Sequence, residues 1–176
     1  LFELKRQAIE AMEKAREVII DVGQEFGRIS GRSYGLTEGY LLDDADVVLV
    51  LIGATAGTAR VAIDTLRAEG VRAGLLKIRS FRPFPSDELV EALEGKAAAA
   101  IMERAIAFGA CGSPLFQDVC ASLYLKNAHI PLVNYIHGIG GREALVEELV
   151  GVLREMEQVA DSGWPEPVFR YLSLRE

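Results

Sequence analysis

Asp46-Val47-Val48-Leu49-Val50-Leu51-Ile52-Gly53-Ala54-Thr55-Ala56-Gly57-Thr58-Ala59-Arg60-Val61-Ala62-Ile63 is the stretch on which the fold turns. Val47 to Ile52 is a continuous apolar, largely β-branched run of strand length. A strand exposed on one face would alternate apolar and polar residues. An unbroken run suits one covered on both faces, as in a parallel sheet. Gly53 ends it, and Ala56 to Glu69 reads as a helix with Ala59, Ile63 and Leu66 on one side and Gly70 as its stop. Strand, glycine turn and amphipathic helix in that order are the unit of an α/β domain.

The same alternation continues toward the C-terminus. Val71 to Ile78 reads as a second strand. Arg79-Ser80-Phe81-Arg82-Pro83-Phe84-Pro85 is a loop, because two prolines forbid regular pairing. Ser86 is expected to cap a helix that has Asp87 and Glu88 in its first turn, favourable at the positive end of the dipole, and Gly95 as its end. Ala97 to Met102 is a third strand. Ser113-Pro114 opens a helix through Leu125, with proline at the tolerated first position. Leu132 to Ile136 is a fourth strand, Gly138 to Gly141 a turn, and Glu143 to Val159 a last helix. This predicts a three-layer α/β domain, a mostly parallel sheet with helices on both faces.

Toward the N-terminus, Leu4, Ala8, Met12, Ala15, Ile19, Val22 and Phe26 recur at helical spacing and predict one long helix. Gly27, Gly31, Gly35 and Gly39 then mark a connecting segment. The expected organisation is residues 1–43 as N-terminal helix and glycine-rich connector, 44–160 as the α/β domain, and 161–176 as a tail leaving the domain. The chain opens on Leu1 and not on Met, which reads as a fragment or a trimmed chain.

Half of the 176 residues are hydrophobic and 26% are charged, so the composition builds a core. The net charge of −7 is a poor match for nucleic acid or anionic lipid, and both are set aside as partners. The longest apolar run is far short of the ~20 residues that span a bilayer, and no segment has the pattern of a targeting signal. With only two cysteines, a disulfide scaffold is unsupported. A reducing, cytoplasmic setting is expected.

Three loops fall at the carboxyl ends of expected strands, where open α/β sheets bind ligands. Gly53, Ala54, Thr55, Gly57 and Thr58 open a helix whose amides could hold an anion, yet a plain tight turn needs the same residues. The segment has neither the G-x-G-x-x-G spacing nor a Walker lysine. Arg79 and Arg82 could grip a phosphate, a carboxylate or a partner's acidic side chain. They could equally pair with local carboxylates while Phe81 and Phe84 fill the core. Gly138, Gly140, Gly141 and Arg142 carry the same two readings. Glu103-Arg104 reads as a local ion pair, and Cys111 as an ordinary buried thiol. His129 and His137, the only histidines, stand in no recognised triad. No catalytic residue and no metal ligand set is assigned.

Gly31-Arg32-Ser33-Tyr34-Gly35, Asp44-Ala45-Asp46-Val47-Val48, Gly53 to Thr58, Leu66 to Arg79, Phe81-Arg82-Pro83-Phe84-Pro85 and Gly138-Ile139-Gly140-Gly141-Arg142 occur in this order. Together they resemble the C-terminal part of the alpha subunit of pyruvate (2-oxoacid):ferredoxin oxidoreductase. That part is called domain II and is itself similar to the transketolase C-terminal domain. The resemblance runs from about Leu4 to Val159. Glu103 stands where the family often has aspartate, Ile139 where leucine is usual and Glu143 where aspartate is usual.

The resemblance implies a parent complex in which a thiamine diphosphate ylid attacks a 2-oxoacid, pyruvate first among the candidates. Carbon dioxide leaves, and [4Fe-4S] clusters pass single electrons to ferredoxin. Coenzyme A takes the acyl group. The implied partners are the thiamine-binding and iron–sulfur subunits and, through the complex, ferredoxin; a homo-oligomer stays open. This chain has no G-D-G with a following asparagine to hold magnesium and diphosphate, and no C-x-x-C cluster motif. It therefore resembles a non-catalytic assembly and positioning domain, carrying no cofactor itself and inactive alone. Two rival readings remain at this point. One is the C-terminal domain of another thiamine enzyme, of 2-oxoacid dehydrogenase beta subunit or transketolase type. The other is a free-standing small-anion or nucleotide-binding module.

Overall fold

The computed structural model describes residues 1–175; Glu176, the last residue of the expected tail, lies outside them. Its core is a six-stranded sheet in the order β1-β3-β2-β4-β5-β6. The strands are β1 (Thr37–Tyr40), β2 (Val47–Ile52), β3 (Ala73–Ile78), β4 (Ala98–Glu103), β5 (Leu132–Ile136) and β6 (Phe169–Tyr171). All neighbours pair in parallel except β1, which runs antiparallel to β3 with Thr37 opposite Ile78. The helices are α1 (Phe2–Ser30), α2 (Thr55–Ala68), α3 (Ser86–Leu93), α4 (Pro114–Leu125) and α5 (Val146–Ser162).

The unbroken apolar run of β2 has the expected cause. Val47, Leu49 and Leu51 pack with Ile63 and Leu66 of α2 and Leu149, Leu153 and Met156 of α5. Val48 and Val50 point to the other face, against Leu89 and Leu93 of α3 and Leu115 and Val119 of α4. Side chains alternate along a strand, so five of its six residues serve two cores, and Ile52 at its end is exposed. Each fully buried Leu, Ile or Val contributes about 1.5–3 kcal/mol relative to exposure.

Two edge strands escaped the periodicity. Thr37–Tyr40 lies in the stretch read as a glycine connector, and Phe169–Tyr171 in the stretch read as a departing tail. The latter pairs with β5 through Asn134, Tyr135 and Ile136, so this part of the tail joins the sheet. Each is short and half-buried, and edge strands need no long apolar run.

Two helix starts also differ from expectation. Ser86 is the first residue of α3 and not its cap; its hydroxyl accepts a hydrogen bond from Ser122 at 2.9 Å. The last helix begins at Val146 because Glu148 Oε2 accepts the N–H of Leu145 at 2.8 Å, closing the N-terminus there.

A further correction concerns Glu103 and Arg104. They form no ion pair with each other. Successive residues at a strand end point to opposite sides, and these two part accordingly. The Glu103 carboxylate is buried and accepts the N–H groups of Leu115 and Phe116, each at 3.0 Å, and the Ser113 hydroxyl. It thus caps α4 from outside the helix. Arg104 turns the other way and donates to the Gly138 carbonyl at 3.0 Å.

Helix α1 stands apart. It is 29 residues long, and Gly23 is its only buried residue. A Cβ at Gly23 would lie 1.9 Å from the Tyr34 carbonyl oxygen, so glycine is what lets the helix touch the body. Arg16 adds an ion pair to Glu88 at 2.7 Å. The apolar stripe read from the sequence exists but is left open, with Leu4 63% and Val22 58% exposed.

Candidate functional site

The strand order fixes where a site can form. From the carboxyl end of β2 the chain crosses through α2 to β3 on one side; from the carboxyl end of β4 it crosses through α4 to β5 on the other. The two connections diverge between β2 and β4 and leave a crevice at their carboxyl ends, the place where such sheets take ligands.

Two of the three loops singled out in the sequence meet there. Ala54, Thr55 and Thr58 come from the start of α2, and Gly141 and Arg142 from the turn after β5. They line a cavity of about 340 Å³ together with Arg104, His137, Glu143 and Ala144. Gly53 and Gly138 shape it. Gly53 leaves β2 at a φ of 89°, in the left-handed region that side chains disfavour. Gly138 has a φ of 69°, and a Cβ on it would come within 2.6 Å of Arg104 Nε. Gly57 lies within α2, and Gly140 in the short 3-10 turn from Ile139 to Gly141.

The third loop lies elsewhere. Arg79 donates to Glu38 at 2.7 Å and lies over the Tyr34 ring at 4.6 Å. Arg82 is paired with Asp118 at 2.8 Å and lies over Phe81 at 4.1 Å. Both guanidiniums thus have carboxylate partners within the chain, though neither partner is local in sequence. Burial alone would raise the Glu38 carboxyl, but Arg60 and Arg79 outweigh it and hold it below the usual carboxylate range. Phe81 and Phe84 meet edge to face at 6.2 Å and pack on the α3–α4 core. This loop faces α1 across a groove of about 820 Å³ lined by Val18, Val22, Phe26, Tyr34, Arg79 and Phe81.

Arg104 and His137 belong to the crevice although the sequence reading did not place them there. Each sits one residue beyond a buried strand, and that position was the available signal. His137 is 3% exposed. Burial and the nearby Arg104 charge lower its pKa from the ordinary value, with Glu148 opposing them. Beside it, Tyr135 is pushed up by burial and by its bond to Glu155. Cys111 corrects another expectation. It is exposed, in the irregular segment after β4, while Cys120 on α4 is half-buried with a thiol raised by burial. Among the described residues no cluster of three His, Cys, Asp or Glu side chains could hold a metal ion. No helix among them is long and apolar enough to cross a membrane.

A parallel sheet in this order, helices on both faces and glycine turns around the crevice define a doubly wound domain of the transketolase C-terminal kind. Two solved structures share that fold. A 2-oxoglutarate:ferredoxin oxidoreductase from Magnetococcus marinus matches with a TM-score of 0.56 at 22% identity, over 70% of this chain and 20% of that one. A split-gene transketolase matches with a TM-score of 0.53 at 24% identity, over 70% of this chain and 42% of that one. The sequence narrows the class. Residues 45–149 match the family model described as pyruvate:ferredoxin oxidoreductase core domain II, and the chain belongs to that family. The pyruvate synthase subunit PorA of Thermotoga maritima is 39% identical over 99% of this chain and 44% of its own length. The ketoisovalerate oxidoreductase subunit VorA of Pyrococcus furiosus is 40% identical over 92% of this chain and 41% of its own length. The chain thus spans less than half of these relatives.

Proposed function

We propose that this chain is an assembly and positioning domain of a thiamine-diphosphate-dependent 2-oxoacid:ferredoxin oxidoreductase. The parent complex oxidatively decarboxylates a 2-oxoacid, pyruvate by preference, to an acyl-coenzyme A. Thiamine diphosphate, magnesium and [4Fe-4S] clusters sit in other domains or subunits, and ferredoxin takes the electrons. This part catalyses nothing alone. The observation that carries the reading is the open apolar stripe of α1, continuous with the groove against the Arg79–Arg82 loop. A 29-residue helix with one buried residue is held to its own body only near Gly23 and by the Arg16–Glu88 ion pair. Such a stripe is stable when another polypeptide covers it. In place of a division at residues 43 and 160, the body is the sheet from β1 to β6 with α2 to α5, and α1 is the arm that meets neighbouring domains and subunits. The complex works in the cytoplasm.

The test is reconstitution. The chain is mixed with the complementary polypeptides of the oxidoreductase, and pyruvate-dependent ferredoxin reduction is followed. The chain alone gives no turnover and no calorimetric thiamine diphosphate binding; the mixture restores turnover that the complementary polypeptides lack. Tight thiamine diphosphate binding by the chain alone overturns the proposal.

A further inference from the structure

We propose that the crevice formed by Thr55, Thr58, Arg104, His137 and Arg142 is a binding site for a phosphate-type oxyanion, the terminal group of a small phosphomonoester. This goes beyond the assembly reading and stands without it.

The first support is unused charge. Every arginine from Arg60 to Arg82, with Arg154 and Arg170, is paired to a carboxylate. Arg104 and Arg142 are not; among the described residues they bond only to the carbonyls of Gly138 and Ser173. A guanidinium has five N–H donors in a planar fork, so both keep donors to offer. The second support is independent. His137 is 3% exposed and lines the crevice, yet its ring makes no hydrogen bond among the described residues. The ring nitrogens are not sealed off inside the protein, so the ring's open side is toward the crevice, where a ligand oxygen could accept from it. The third is α2, which begins with no side-chain cap and no acidic residue in its first turn. The Gly57 N–H bonds to the Ala54 carbonyl at 2.9 Å; the N–H groups of Thr55 and Ala56, with the Thr55 and Thr58 hydroxyls, are left for an anion.

These donors converge from three directions: α2, the end of β4 and the turn after β5. Three oxygens of a tetrahedral group can meet them, whereas a carboxylate offers two in one plane. Glu143 is the opposing charge on the wall. Glu148 of α5 is occupied by the Leu145 N–H and the Ser173 hydroxyl. The volume, about 340 Å³, admits a phosphate with a small organic remainder.

The experiment is an amide-resolved NMR titration of the chain with inorganic phosphate, with pyruvate as the carboxylate arm. Phosphate is expected to shift residues 54–58 and 137–142 saturably, and pyruvate at equal concentration to leave them unmoved. Arg142→Gln weakens phosphate about tenfold or more, while Arg72→Gln, at the opposite end of the sheet, leaves it unchanged. His137→Gln serves in place of Arg142→Gln if that variant fails to fold. No shifts, shifts scattered over the surface, equal response to pyruvate, or equal loss in Arg72→Gln overturns the proposal. The titration needs no partner polypeptide, and reconstitution is read without phosphate, so failure of one leaves the other standing.

Discussion

Replacing Glu103 by alanine tests how the end of β4 holds α4. The carboxylate accepts two helix N–H groups at 3.0 Å and the Ser113 hydroxyl. Loss of a helix cap costs about 1 kcal/mol. Each buried N–H left without a partner adds about 1–3 kcal/mol. Ser113 keeps the Asn134 side-chain oxygen at 2.6 Å and adds little. The expected sum is about 3–7 kcal/mol, a large part of the roughly 5–15 kcal/mol that holds a domain together. At about 2–4 °C per kcal/mol in a chain of this size, the midpoint falls by about 10 °C. Glu103→Gln retains one acceptor oxygen, and about half that loss is expected. Urea unfolding followed by circular dichroism gives the numbers, with an unchanged slope as the check that the unfolding reaction is the same. A loss below about 1 kcal/mol for Glu103→Ala would refute the capping argument.

Other perturbations address separate parts of the molecule. Gly23→Ala favours an isolated helix by about 1 kcal/mol, but here its methyl collides with the Tyr34 carbonyl. Hydrogen exchange at residues 34–36 should therefore quicken while global stability barely changes; unchanged exchange would show that α1 does not dock there. Ile63→Ala opens a cavity in the α2–α5 core, and a cost of about 2–5 kcal/mol is expected in urea. His137 has a folded pKa below its ordinary value of 6.5. It therefore contributes stability that is present above that value and is lost as pH falls through the folded one. The charged or titratable groups around it are Arg104, Arg142, Glu143, Glu148 and Tyr171. Unfolding at pH 8, 6.5 and 5 should show a slope in the wild type that flattens in His137→Gln; parallel curves would remove His137 as its source.

The body of the fold was legible because β2 to β5 are buried on both faces and the glycines fall where the chain leaves a strand. The edge strands were not. Thr37-Glu38-Gly39-Tyr40 pairs by backbone alone on one side and keeps polar side chains that no periodicity marks. Half of the site was visible in Gly53–Thr58 and Gly138–Arg142. Arg104 was hidden by its neighbour: adjacent opposite charges suggest a pair, and only the alternation of a strand end shows that they separate. His137 was marked only by its place one residue beyond β5, since an unpartnered ring is a property of its surroundings. Arg79 and Arg82 looked like ligand groups in sequence because Glu38 and Asp118, which engage them, are distant along the chain.

The central claim is that the open face of α1 is a contact surface for the rest of the oxidoreductase. Size-exclusion chromatography of the chain with its complementary polypeptides tests it, comparing wild type with Val22→Asp, a substitution at an exposed position. The account predicts co-elution of the wild type and loss of it in Val22→Asp, with the variant's own melting temperature unchanged. Equal co-elution of the two would contradict it.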